Sequence, residues 1–155
     1  IKLAPDLDDG QLDQIAKLAL ELDLDGMVAV NNTVDRAGLG SSDRRIAAFE
    51  GGGVSGRPLA ARSEQVLRRL RQAVGRRMVL VSAGGIEDAD DVWRRMQAGA
   101  TLVQVYTGFV YGGPAWPSRI NRQLAQRVRQ AGLRSIQDLI HSGAGPAAAT
   151  APVSP

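Results

Sequence analysis

The chain has 155 residues, 44% hydrophobic and only 4% aromatic, so one domain with an aliphatic core of Leu, Val, Ile and Ala is expected. With no cysteine and a single histidine, His141, it has no disulfide scaffold, no thiolate and too few His or Cys ligands for a zinc site, and no metal is expected. The net charge of +3 rests on arginine pairs (Arg44-Arg45, Arg68-Arg69, Arg76-Arg77, Arg94-Arg95) that read as solvated helix faces, not as a nucleic-acid surface.

The chain opens with Ile1-Lys2-Leu3-Ala4-Pro5, without methionine and as if inside a strand, so a piece of a longer protein is expected. Leu7 to Leu22 starts with first-turn acids Asp8-Asp9. It sets Leu12, Ile15, Ala16, Leu18, Ala19 and Leu22 on one face, an amphipathic helix. The apolar run Gly26-Met27-Val28-Ala29-Val30 follows, a buried parallel strand ending at Asn31-Asn32. Residues 34 to 61 are rich in Gly, Ser, Asp and Arg with little periodicity, and so long a connection reads as a functional loop.

A second helix is expected from about Ala61 to Val74, with Val66, Leu67, Leu70 and Val74 inward. Met78 to Ser82 is the next strand, ending at Ala83-Gly84-Gly85. Asp88 to Ala98 is a third helix, with Ala89, Val92, Trp93 and Met96 on its apolar face and Gly99 at its stop. Leu102 to Tyr106 is a further strand, running into Thr107-Gly108. The last helices span roughly Pro117 to Ala131 and Ser135 to Ile140. Residues 143–155 lack apolar periodicity and read as a disordered tail after a folded unit of 1–142.

This alternation gives an α/β fold, with a parallel sheet covered by helices. Periodicity leaves an open doubly wound sheet and a barrel both possible. In either, reactive residues collect at the C-terminal ends of the strands. Lys2 stands at the first such end, Asn31-Asn32-Thr33 at the second, Gly84-Gly85 at the third and Tyr106-Thr107-Gly108 at the fourth. A glycine turn before a helix admits phosphate oxygens to backbone N–H groups, and barrels place such a site after their last two strands. Taken singly, each feature has a plain reading as a tight turn, a strand cap or a solvated lysine.

The segments Lys2-Leu3-Ala4-Pro5-Asp6-Leu7, Asn31-Asn32-Thr33-Val34-Asp35-Arg36, Gly52-Gly53-Val54-Ser55-Gly56-Arg57-Pro58-Leu59, Gly84-Gly85-Ile86 and Gly99-Ala100 through Gln104-Val105-Tyr106-Thr107-Gly108-Phe109 form one ordered series. That series resembles the dihydroorotate dehydrogenases, in particular the class 2, quinone-using branch, from residue 1 to about residue 131. The resemblance implies the C-terminal half of a (β/α)8 TIM barrel, parallel strands with outer helices. It implies FMN as cofactor, with oxidation of dihydroorotate to orotate and a quinone as electron acceptor, in pyrimidine biosynthesis. By resemblance, Lys2 lies beside the flavin ring, and Val30, Gly56, Gly84, Gly85, Tyr106 and Thr107 hold FMN, with Ser55 shaping the loop beside it. Asn31 and Asn32 face the substrate. Val30 and Asn32 both stand where the family has Thr.

A full barrel needs about 250 residues, so this chain supplies roughly half. The resemblance puts the serine base, further flavin contacts and the membrane-associating, quinone-receiving helices upstream of Lys2. It implies a parent enzyme peripheral on the cytoplasmic face of the cell membrane. No run here approaches the roughly 20 apolar residues of a membrane span. The open strand edges call for a cover, either the absent half-barrel or a second copy. The alternative reading is a stand-alone, noncatalytic phosphate- or flavin-binding half-barrel, dimerised through those edges. A dihydropyrimidine dehydrogenase domain or a dihydrouridine synthase fits the Ala-Pro-Asp and Ser-Gly-Arg-Pro strings less well.

Overall fold

The computed structural model describes residues 1–48 and 51–143. Four parallel strands form its sheet in chain order, β1 (Lys2–Leu3), β2 (Gly26–Ala29), β3 (Val79–Ala83) and β4 (Leu102–Gln104). Consecutive parallel strands placed side by side, each followed by a helix, are the repeating unit of a β/α barrel. The register carries Lys2, Val28, Val81 and Leu102 along one row and Leu3, Ala29, Ser82 and Val103 along the next. Because side chains alternate across a strand, these two rows face opposite sides of the sheet.

Helices cover one side only. α1 (Asp9–Glu21) and α3 (Ala60–Val74) pack against each other over β1 to β3. Their shared core holds Leu12, Ala16, Ala19, Met27, Leu67, Leu70 and Leu80. α4 (Ala89–Gln97), α6 (Trp116–Gln130) and α7 (Ile136–Gly143) gather a second cluster around Val92, Met96, Trp116, Ile120 and Leu139. α1 starts with a capping box: Asp8 Oδ1 accepts from Gln11 N at 2.8 Å, and Gln11 Oε1 accepts from Asp8 N at 3.0 Å. At α4, Asp88 caps Asp91 N, with acids in the first turn and arginines in the last, matching the helix dipole.

The expected elements are all present, with displaced ends and three added helical elements. Inside the segment 34–61, α2 (Asp43–Ala47) and a 3-10 turn (Arg57–Leu59) form, and Thr33 pairs with Val54 in an antiparallel bridge. β4 ends at Gln104, two residues before the expected Tyr106, and α5 (Thr107–Gly112) forms just beyond it. Leu18 and Leu22 do not join the core and are 51% and 62% exposed, because α1 buries only the narrow stripe through Leu12, Ala16 and Ala19. The tail lies outside the described residues apart from Gly143, which closes α7.

The arginines depart most from expectation. Arg95 is 1% exposed instead of solvated. Arg71 is half-buried and donates to the carbonyls of Gly99, Gly75 and Met78, closing the lower end of the helix layer. Arg69 behaves as the pairing pattern suggests, bridging α3 to Asp9 and Asp13 of α1. No helix among the described residues is long and apolar enough to cross a membrane, and no cluster of potential metal ligands occurs among them.

Candidate functional site

The C-terminal ends of the four strands open into one cleft of ≈ 350 Å³. This is the size of a small-molecule site, and its place at the carboxyl ends of parallel strands is where such folds bind ligands. Every residue singled out from the sequence lines it. Lys2 comes from β1, Val30 to Asn32 follow β2, and Gly84 and Gly85 follow β3. Ser55 and Gly56 come from the long loop, and Tyr106 and Thr107 from the start of α5. Regions up to about 105 residues apart in sequence thus converge because each strand delivers its last residues to the same rim.

The backbone at the rim is held bare by glycine. Gly85 has φ +68°, and a Cβ there would sit 2.4 Å from Ala60 Cα, inside the first turn of α3. No side chain fits, so the turn lies directly against the helix start. Gly56 has φ +78°, and a Cβ there would approach Thr107 Cγ2 to 2.9 Å. That close approach brings the loop onto α5, where Ser55 Oγ and Thr107 Oγ1 hydrogen-bond at 3.0 Å. Arg57 and Glu87 add an ion pair at 2.7 Å between the loop and the β3–α4 turn, though both ends are wet and it contributes little. Farther along the same loop, Thr33 donates to Asp6 Oδ1 at 2.5 Å and fixes the strand-end asparagines beside β1.

The polar groups are unevenly spread. Lys2 is exposed at the open side of the sheet and no carboxylate pairs with it among the described residues. Val30 is buried, and its N–H donates to Ala83 O at 2.9 Å; Asn31 N donates to Leu3 O at 2.7 Å. These bonds extend the pairing two residues past β2 and leave the carboxamides of Asn31 and Asn32 exposed at the cleft. A cation, two carboxamides and glycine-lined backbone are a donor set suited to an anionic, amide-bearing ligand.

The sequence assigned no site role to Leu59, Ala83, Ile86, Gln104 or Val105, all of which line the cleft, nor to the group beneath them. Leu59 and Ile86 supply apolar walls, and Gln104 projects from the last residue of β4. Gln104 shares strand parity with Leu102, so the alternation rule would have found it. Beneath the cleft lies Arg95, whose guanidinium is pulled below its usual range by burial, with Glu64 and Asp91 opposing that shift.

The model for the family described as "Dihydroorotate dehydrogenase" matches residues 1–128. The chain is 54% identical over 144 residues to dihydroorotate dehydrogenase (quinone) of Rhodococcus opacus, covering 93% of this chain and 40% of that protein. It is 51% identical over 148 residues to dihydroorotate dehydrogenase (quinone) of Thermobifida fusca, covering 96% and 39%. Among solved structures, ligand-free DHODH from Eimeria tenella superposes with a TM-score of 0.83 at 36% identity, over 94% of this chain and 39% of that one. The chain therefore spans about two fifths of the length of the curated relatives it matches.

Proposed function

The chain belongs to the dihydroorotate dehydrogenase family, and from that premise we propose that its whole protein oxidises dihydroorotate to orotate, with FMN resident and a quinone as acceptor. The observation that carries this reading is the meeting of Lys2, Asn31, Gly56, Gly84, Gly85 and Thr107 in one cleft. When bound, FMN supplies the hydride acceptor for the substrate and passes reducing equivalents on to the quinone.

The cleft fits such a group. Gly56 and Gly85 leave backbone where a side chain would collide, Gly84 holds a positive φ of +99°, and Tyr106 and Thr107 complete the phosphate end. Val30 and Leu59 are buried apolar walls for a flat ring. Lys2 offers a fixed positive charge at the end of β1, and a cation at that edge of the ring stabilises negative charge that develops there. Asn31 and Asn32 offer carboxamides that both donate and accept, as the amide edges of the pyrimidine substrate require. The proton-abstracting base comes from outside these residues, and so do the quinone-receiving segments and the attachment to the cytoplasmic face of the membrane.

Residues 1–142 act in this reading as the C-terminal half of the barrel. The outer edges of β1 and β4 have no strand partner among the described residues. The other half-barrel covers them; in the alternative reading, a second copy of a noncatalytic flavin-binding half does. A titration of FMN fluorescence tests the proposal, with dihydroorotate-dependent dye reduction followed in parallel. Saturable quenching by the 155-residue chain without dye reduction is expected. Dye reduction by this chain alone would contradict the placing of the base.

A further inference from the structure

We propose that Arg95 is a positioning residue for the anion-holding end of the cleft, locking the Gly84–Gly85 turn against the start of α3 from the side away from the ligand. The inference rests on reading that cleft as an FMN site, and it extends the site to a side chain that never reaches the ligand.

Arg95 lies on α4, 1% exposed, and its fork is spent on the turn. Nη2 donates to Ala60 O at 2.7 Å and to Gly84 O at 3.2 Å. Nη1 donates to Ser63 Oγ at 2.7 Å and to Ser82 Oγ at 3.3 Å. Ser63 Oγ in turn lies 2.8 Å from Gly84 O, so that carbonyl is gripped by the guanidinium directly and again through the serine. Nε makes no hydrogen bond among the described residues and faces Glu64 at 3.8 Å. Burying a guanidinium is costly unless its donors are used, and here both Nη atoms are used, joining the start of α3, Ser82 of β3 and the Gly84 carbonyl.

The consequence for the cleft follows from peptide geometry. In a planar trans peptide the C=O and the next N–H point in opposite directions. With Gly84 O held down toward Arg95 and Ser63, the N–H of Gly85 points the other way, toward the cleft that Gly85 lines. That N–H donates to no acceptor among the described residues. It is a preset donor for an anion, and the clamp on the opposite oxygen keeps it from turning. Ala60 O is held by the same Nη2, which ties the helix start to the turn that Gly85 packs upon.

The test compares FMN with riboflavin, which lacks the phosphate, in binding titrations of the 155-residue chain and its variants. Arg95→Met should weaken FMN binding at least tenfold while riboflavin binding changes less than threefold. Arg95→Lys, which keeps a charged donor at the two carbonyls, should recover most of the preference for FMN. Ser63→Ala, which removes a single oxygen, should reduce the preference about threefold. Should Arg95→Met fail to fold, Ser63→Ala decides: an unaltered FMN-to-riboflavin ratio overturns the proposal. Equal weakening of both ligands in Arg95→Met also overturns it, because that is the mark of a merely structural residue. Failure of the unmodified chain to prefer FMN overturns the cofactor reading itself, and the inference with it.

Discussion

The two faces of the sheet are built from the same four strands and share little else. On the helix side Leu3, Ala29, Leu80 and Ser82 are buried to within a few per cent under α1, α3 and α4. On the other side Leu102 is 56% exposed and Val79 40%, with Val28 and Val81 only partly covered. Stability therefore resides in the covered face, whereas ligand chemistry gathers at the upper rim of the open face, where Lys2 and Gln104 interrupt the aliphatic rows. A chain whose alternation gives one satisfied face and one apolar, uncovered face is arranged to receive something against the second.

The largest effect that separates the faces is loss of core volume. Leu70→Ala, at a fully buried position of α3, should cost about 2–5 kcal/mol in urea unfolding. Val81→Ala on the open side should cost less than about 1 kcal/mol, since few neighbours are lost. Equal costs would erase the distinction between the faces.

Next comes the seam where the faces meet. Gly85→Ala puts a Cβ into the backbone of Ala60 at a positive φ, and roughly 1–3 kcal/mol of stability should go with it. FMN affinity should fall at least tenfold. Full affinity in this variant would show that the turn is not part of the ligand site.

Lys2→Ala sharpens the contrast from the other direction. Lys2 is exposed on the open face and has no pairing carboxylate among the described residues, so unfolding should shift by no more than about 0.5 kcal/mol. The two-electron midpoint potential of bound flavin should nevertheless drop by roughly 30 mV, equal to about 1.4 kcal/mol. An unchanged potential would remove Lys2 from the ring's edge.

How much of this was legible in the sequence depends on whether the deciding partners were local. α3 and α4 were readable because Val66, Leu70 and Val74, or Val92 and Met96, recur at helical spacing. α5 was not, because Gly108, Phe109, Val110 and Tyr111 are poor helix formers and tertiary context decides their state. Lys2, Asn31, Asn32, Gly84, Gly85, Tyr106 and Thr107 stood out because they follow strand ends, which face one cleft in such folds, whereas Ser55 and Gly56 lie in the long loop and were named only through the family resemblance. Arg95 could not, because its partners at Ala60, Ser63, Ser82 and Gly84 are distant in sequence, and a charged residue in an arginine pair reads as solvated.

The smallest expected effect concerns the outer surface of the helix layer. The Arg69 guanidinium beside Asp13, and Arg134 beside Asp138, hold both carboxyls below the usual carboxylate range. Because the folded pKa is the lower one, these groups stabilise the fold above the unfolded value of about 4, and the contribution is lost as pH falls through the folded value. Asp13→Asn should flatten the acid limb of thermal stability slightly and leave FMN binding untouched. A changed affinity would couple the outer surface to the cleft, which the geometry does not.

The measurement that bears most directly on the account is an FMN titration of the 155-residue chain with inorganic phosphate as competitor. The account predicts saturable quenching of flavin fluorescence at one equivalent, reversed by phosphate. Absence of quenching, or quenching that phosphate leaves unaltered, would contradict the assignment of the glycine-lined rim to the phosphate end of the cofactor.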